Sequence, residues 1–185
     1  MGRTLSGRSE IPLSDAGQAE AAVLALRLEC VPIGRIVASP RRRAIETAQI
    51  VASRIGVPVE IAEDLDEIDF GEWTGRSFEA LERDARWHLW NAHRGIGAAP
   101  GGEAMVDAVA RARGFIDRLP DSDVLCVSHC DIIRGIVADI LGLHLDRLLA
   151  FDCDPASLTT LALWPGGGRL VSLNQVSPKP AHLSR

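Results

Sequence analysis

His129 stands where an apolar run, Asp123–Ser128 (DVLCVS), stops and a helical pattern begins. A side chain at such a strand end projects from the edge of the sheet, where open α/β sheets bind their ligands. Alone, it reads first as a histidine that caps a strand or packs in a loop. Its company changes the reading. Ser39–Ala48 (SPRRRAIETA) places Arg41, Arg42 and Arg43 after another short apolar run, Gly34–Ala38 (GRIVA), at the start of a helix. A helix N-terminus offers free N–H groups and a positive dipole end, so guanidinium groups there make an anion site, most naturally for phosphate. Successive helical residues point in different directions, so one or two of the three arginines can share a ligand and the rest are solvated. The spacing leaves open which. The third group is the loop Asp64–Gly75, where Asp66, Glu67, Asp69 and Glu72 crowd together beside Phe70 and Trp73. Crowded carboxylates raise one another's pKa and an aromatic wall adds desolvation, so one of them could be held protonated as a general acid. A solvated acidic turn fits the spacing equally well.

The elements that must position these groups alternate. Ser14 is a candidate N-cap for a helix to Glu29, and Gly34–Ala38 is a strand leading through Ser39-Pro40 into a helix over Arg42–Ile55, ended by Gly56. Val57–Ala62 alternates as a strand should, and a helical segment runs from Ser77 to about Trp90. His93–Gly102, rich in glycine, is a loop, and a helix resumes over Glu103–Leu119. DVLCVS reads as a strand buried on both faces at the centre of a parallel sheet. A helix over Asp131–Leu141 follows, then a hairpin of Ser157–Leu163 and Arg169–Asn174 about Pro165–Gly168. The expected fold is therefore α/β, a three-layer sandwich with a mostly parallel central sheet flanked by helices. Residues 1–176 form one domain, with 77–102 a lid-like insertion and 177–185 a frayed tail.

Composition narrows the partners. The 185 residues carry a formal net charge of -5, opposite to the basic balance of nucleic-acid binders. Lys179 is the only lysine, which we read mainly as codon bias. Cys30, Cys126, Cys130 and Cys153 form no CxxC pair, and no apolar stretch reaches the length of a membrane helix. The expectation is a cytoplasmic protein with reduced thiols, acting on a small phosphorylated metabolite, with no nucleic-acid or membrane partner. A homodimer is compatible with this. No metal-ligand spacing appears, and no cofactor is expected.

Taken together, several segments are similar to the histidine phosphatase superfamily, specifically its small phosphoglycerate-mutase-like phosphatase branch. They are GRxxxGRSExPLSxxGxxxA at Gly2–Ala21, SPxRRAxETA at Ser39–Ala48, LDEIDFGEWTG at Leu65–Gly75, PGGE at Pro100–Glu103, VSH at Val127–His129 and ASLTxL at Ala156–Leu161. They follow the family's order and cover nearly the whole chain. The resemblance implies that Arg43 binds the transferring phosphoryl group, that Glu67 is the general acid or base, and that His129 is the second histidine of the phosphate pocket. It also places Arg8 and the loop Ser6-Gly7 at the border of that pocket.

Departures accompany the match. The family opens with a strand ending in Arg-His-Gly, whose histidine attacks phosphorus, and no such motif occurs here. The histidines are His88, His93, His129, His144 and His182. Met1-Gly2-Arg3 aligns with the loop after that strand, so the expectation is a sheet lacking its first strand. Cys130 replaces the glycine that usually follows the second histidine, and Arg41 replaces a leucine of the clamp motif. The reading is a phosphomonoester hydrolase using a phosphohistidine, provided the working protein contains the Arg-His-Gly segment. A cofactor-dependent phosphoglycerate mutase and an inactive phosphate-binding module of the same fold are the alternatives. The physiological substrate is not legible.

Overall fold

The structure is a computed structural model and describes residues 4–176. The tail assigned to 177–185 lies outside the described residues. Helix α1, Asp15–Leu28, starts at Ser14, whose hydroxyl accepts the Gly17 N–H at 3.2 Å. Strand β1, Arg35–Ala38, leads into α2, Arg42–Ile55, which closes on Gly56 in the left-handed conformation. Strand β2 is Val59–Ile61, and single 3-10 turns at Glu63–Leu65 and Gly71–Trp73 shape the acidic loop.

The helical segment expected from Ser77 to Trp90 is two helices, α3 (Phe78–Leu81) and α4 (Ala85–Ala92). The break has a local cause: the Asp84 carboxylate accepts the Arg86 N–H at 3.0 Å and starts a new helix. Helix α5 spans Met105–Ile116, strand β3 Val124–Val127 and helix α6 Cys130–Ile140. Strands β4 (Leu158–Trp164) and β5 (Gly167–Gln175) form the hairpin.

Strands β2, β1 and β3 pair in parallel in that order, with Val37 opposite Glu60 and Cys126. The central strand is therefore β1. The DVLCVS strand, expected at the centre and buried on both faces, stands at the edge of this sheet, and Val124–Val127 are all only partly buried. The reason is that its second edge has no paired strand among the described residues, because β4 and β5 pair only with each other.

Alternation along β1 sends Ile36 and Ala38 to one face, where they pack with Leu24 and Leu28 of α1 and Ala48 and Val51 of α2. A second core gathers Ile68, Phe70 and Trp73 of the acidic loop with Leu81, Trp87 and Trp90, and with apolar faces of α5 and α6. Segment 77–102 is thus anchored by its tryptophans. Trp73 meets Trp87 edge-on with ring centroids 5.3 Å apart, and Trp87 stacks on Trp90 at 5.5 Å. Such pairs add about 0.5–1.5 kcal/mol each beyond their buried area.

Candidate active site

Parallel pairing of β1 and β3 brings Ser39 and His129 to neighbouring strand ends, and the Ser39 N–H donates to the Val127 carbonyl at 2.9 Å. His129 occupies the N-cap position of α6 in extended backbone, yet its ring does not cap the helix. It turns back across the strand ends instead. Its Nδ1 lies 2.9 Å from Nη2 of Arg43 and its Nε2 lies 2.7 Å from the Ser39 hydroxyl. A guanidinium can only donate, so Nδ1 accepts and Nε2 carries the proton. The Ser39 hydroxyl passes its own hydrogen to Asp66 Oδ1 at 3.3 Å. The result is a directed chain, Arg43 to His129 to Ser39 to Asp66.

Burial pushes the His129 pKa down to about 3, with the charges of Arg43, Arg41, Arg111 and Arg8 adding in the same direction. The ring is neutral at neutral pH. Burial also lowers the pKa of Arg43, against the opposing pull of Glu67 and Asp66. Arg43 is fixed by its other bonds as well, donating to the carbonyls of Gly7 at 2.8 Å and Ser9 at 3.1 Å. Gly7 takes φ +48°, and a Cβ there would meet the Thr74 side chain. Ser6 and Gly7 border the same cavity as Arg43, Glu67 and His129.

Glu67 is 8% exposed, and its Oε1 accepts the Ile68 N–H at 3.0 Å. Its pKa is raised to about 8, first by burial and then by the charge of Asp131, with Arg43 opposing. It therefore holds a proton at neutral pH beside an arginine clamp. That is the state of a general acid.

Around these groups runs a frame that the sequence pattern did not assign. Arg8 donates to the Glu67 carbonyl at 2.8 Å and pairs with Asp66 at 3.3 Å and Glu103 at 3.0 Å. Its charge is taken up by the acidic loop, and it is not among the residues that border the cavity. Arg41 pairs with Asp66 at 3.0 Å and with Glu10 at 2.6 Å, whereas Arg42 is exposed and bonds Glu46. Of the three arginines, only Arg43 reaches His129. Arg111 donates to the carbonyls of Asp64 at 2.6 Å and Asp66 at 3.0 Å and also to Glu103. The PGGE segment locks on from the other side. Glu72 N–H meets the Pro100 carbonyl and Glu103 N–H the Asp69 carbonyl, each at 2.9 Å. Any side chain at Gly71 would strike the Pro100 carbonyl, and one at Gly102 the Asp69 carbonyl.

Arg111, Asp131 and Arg94 were not singled out by the sequence. Asp131 pairs with the buried Arg94 at 3.0 Å, and Arg94 also lies over the Trp90 ring at 4.1 Å. Asp131 does follow His129 by only two residues on a helix start, which was the one available signal.

The cavity is large, about 1920 Å³. Its polar end holds Arg43, His129 and Glu67, and its apolar body runs between β3 and β4, bordered by Leu24, Leu28, Leu125, Leu158 and Leu161. No group of three or more His, Cys, Asp or Glu side chains is placed to hold a metal among the described residues. No helix among them is long and apolar enough to cross a membrane.

An arginine, a neutral histidine and a protonated carboxyl thus meet at the C-terminal ends of parallel strands in an α/β fold. The chain belongs to the histidine phosphatase superfamily (branch 1), whose family model matches residues 1–176. It is 34% identical over 181 residues to a bifunctional protein of Mycobacterium tuberculosis, covering 92% of this chain and 49% of that relative. The chain thus spans about half the length of that relative. A putative phosphoserine phosphatase 2 of Hydrogenobacter thermophilus is 27% identical over 183 residues, covering 92% of this chain and 86% of the relative. Among solved structures, mycobacterial glucosyl-3-phosphoglycerate phosphatase superposes with a TM-score of 0.84 at 28% identity, covering 94% of this chain and 92% of that one.

Proposed function

We propose that the working protein hydrolyses phosphomonoesters of small metabolites through a phosphohistidine, in a reducing, cytoplasmic setting that suits its free cysteines. The observation that carries this reading is Glu67, buried with its pKa raised to about 8 beside the Arg43–His129 clamp. In the first step a histidine attacks phosphorus while Glu67 delivers its proton to the departing alcohol oxygen. In the second, the Glu67 carboxylate takes a proton from water as the oxygen attacks the phosphohistidine, and phosphate leaves. Arg43 and the N–H of His129 offset charge on the transferred group, with Ser6 and Gly7 at its border. Arg8 keeps Glu67 in place through its carbonyl.

None of the described histidines other than His129 touches the clamp. We infer that the nucleophile rides on a strand carrying Arg-His-Gly that pairs with the open edge of β3. The β3 edge, which pairs with no strand among the described residues, and the apolar cavity bordered by β3 and β4 support this placement. A strand inserted there would complete the parallel sheet and deliver its last residues to Arg43 and His129. The names of the relatives favour phosphorylated carboxylic acids as substrates, phosphoserine and glucosyl-3-phosphoglycerate among them. The short segment 77–102 favours hydrolysis over a mutase, which must shield its phosphoenzyme from water.

The test compares p-nitrophenyl phosphate turnover by this chain and by a product read from an upstream in-frame start that adds Arg-His-Gly. Turnover by the longer product alone supports the reading. Robust turnover by the present chain, or by a His129→Ala variant of the longer one, rejects it. Phosphate binding without turnover by both would leave the inactive binding module as the function.

A further inference from the structure

Glu103 ends the PGGE segment just before α5, and its carboxylate gathers hydrogen bonds from three residues. Arg111 of α5 approaches side-on, with Nε 3.1 Å from Oε1 and Nη2 3.0 Å from Oε2. Oε2 also accepts Nη2 of Arg8 at 3.0 Å and the Asp69 N–H at 3.4 Å. The Glu103 and Arg111 side chains are each only 20% exposed, so salt screens their pairing weakly. Two-pronged, charge-assisted bonds of this kind fix geometry as well as adding energy.

The remaining donors of the two arginines go to one stretch of backbone. Nη1 of Arg111 donates to the carbonyls of Asp64 at 2.6 Å and Asp66 at 3.0 Å, and Nε of Arg8 donates to the Glu67 carbonyl at 2.8 Å. The Asp66 carbonyl belongs to the peptide plane before the Glu67 Cα, and the Glu67 carbonyl to the plane after it. Peptide units are rigid planes, so holding one on each side leaves φ and ψ of Glu67 little freedom. Those angles set the direction of the Cα–Cβ bond and hence where the carboxyl points. Glu103 is the group that joins the two holders. Without its carboxylate the Arg8 and Arg111 cations face each other with their shared counter-charge gone.

We propose that Glu103 is a positioning residue for proton delivery, tying Arg8 to Arg111 and through them aiming the Glu67 carboxyl at the departing oxygen. This rests on Glu67 being the proton donor of the proposed reaction. The backbone N–H of Glu103 is bonded to the Asp69 carbonyl at 2.9 Å, so replacing the side chain leaves that junction intact and isolates the carboxylate.

The experiment compares two esters in the longer product. Glycerol 2-phosphate must shed an alkoxide and needs the Glu67 proton, whereas p-nitrophenolate leaves without one. The ratio kcat/KM reports the barrier through departure of the alcohol. Glu103→Ala is expected to lower it about 10²-fold for glycerol 2-phosphate, the cost of a misplacement near 1 Å, and much less for p-nitrophenyl phosphate. Glu103→Gln can keep its carbonyl oxygen toward the donors at Oε2 and turn its amide against only Nε of Arg111, so it is expected to fall between wild type and Ala. Glu67→Gln is expected to show the same preference for the better leaving group. An equal loss on both esters in Glu103→Ala, with the preference present in Glu67→Gln, would overturn the positioning role and leave Glu67 as the acid. An equal loss in Glu67→Gln would remove the acid itself, and the proposal with it.

A second measurement needs no turnover and uses the present chain. The Glu67 N–H is bonded to Asp66 Oδ1 and the Ile68 N–H to Glu67 Oε1, so hydrogen exchange at these two amides reports how firmly the loop is held. In Glu103→Ala both are expected to exchange faster while the amides of α2 stay protected. Unchanged exchange at Glu67 and Ile68, or an equal rise throughout α2, would overturn the proposal.

Discussion

Arg43 and His129 share a hydrogen bond of 2.9 Å from Nη2 to Nδ1, and that bond decides which imidazole nitrogen carries the proton. With Nδ1 accepting, Nε2 has the only ring N–H, and it is spent on Ser39. On the proposed function, a phosphoryl oxygen must compete with the Ser39 hydroxyl for that donor. The clamp is thus assembled in advance but partly satisfied by its own neighbours.

Removing Arg43 tests the clamp. Arg43→Ala is expected to weaken inorganic phosphate binding by about 1.5–3 kcal/mol, the range for a hydrogen bond to a charged partner. The same variant removes the largest charge contribution that depresses His129, so the imidazole pKa is expected to rise from about 3 toward, but not to, the ordinary 6.5, because burial remains. Calorimetry reads the first effect and an NMR titration the second.

Stability should depend on pH in a direction set by Glu67. Its pKa is about 8 in the fold against an ordinary 4.5, so between these values the folded state binds the extra proton and stability falls as pH rises. His129, at about 3 in the fold against 6.5, works the other way, and its contribution is lost as pH falls below 6.5. The two oppose each other between 4.5 and 6.5, and from 6.5 to about 8 Glu67 acts alone. Melting temperature should decline across that upper window. Glu67→Gln should flatten the decline, and an unchanged slope would show that Glu67 is not protonated there.

The charge of Asp131 raises the Glu67 pKa. Asp131→Asn is expected to move the Glu67 titration down from about 8 while leaving it above the ordinary 4.5, since burial is the larger cause. Carboxyl-carbon NMR on labelled glutamate reads this directly.

Gly71 carries the junction of the acidic loop with Pro100. At φ +50° and with the Pro100 carbonyl where a Cβ would stand, Gly71→Ala is expected to cost about 1–3 kcal/mol from strained backbone. Urea unfolding measures it, and Gly75→Ala, also at positive φ but facing open space, is the milder control.

Much of this fold was legible because its elements are local. The Ser14 cap, the Gly56 stop and the alternation of Val57–Ala62 depend on neighbours in sequence, and α2 matches Arg42–Ile55 at both ends. The position of β3 was not legible, since an apolar run states that a strand is buried but not how many partners it has. The acid loop was visible as a cluster, yet composition could not choose Glu67 over Asp66 or Asp69. That choice came from the family resemblance, and the geometry gives it a physical basis. Asp66 is spent on Arg41, Arg8 and Ser39, and Asp69 is more exposed, which leaves Glu67 as the carboxyl facing the cavity. Arg111 stayed hidden because a lone arginine on an amphipathic helix looks like any solvated residue. Its contacts reach carbonyls far away in the chain.

The most direct test of a phosphohistidine hydrolase is the phosphoenzyme itself. The longer product carrying Arg-His-Gly, mixed with a 32P-labelled phosphomonoester and quenched in base, is expected to hold base-stable, acid-labile label on the histidine of that motif. The label should decay with release of inorganic phosphate, and Glu67→Gln should slow both its formation and its decay. Turnover with no such label, or label on His129 in its place, would contradict the account.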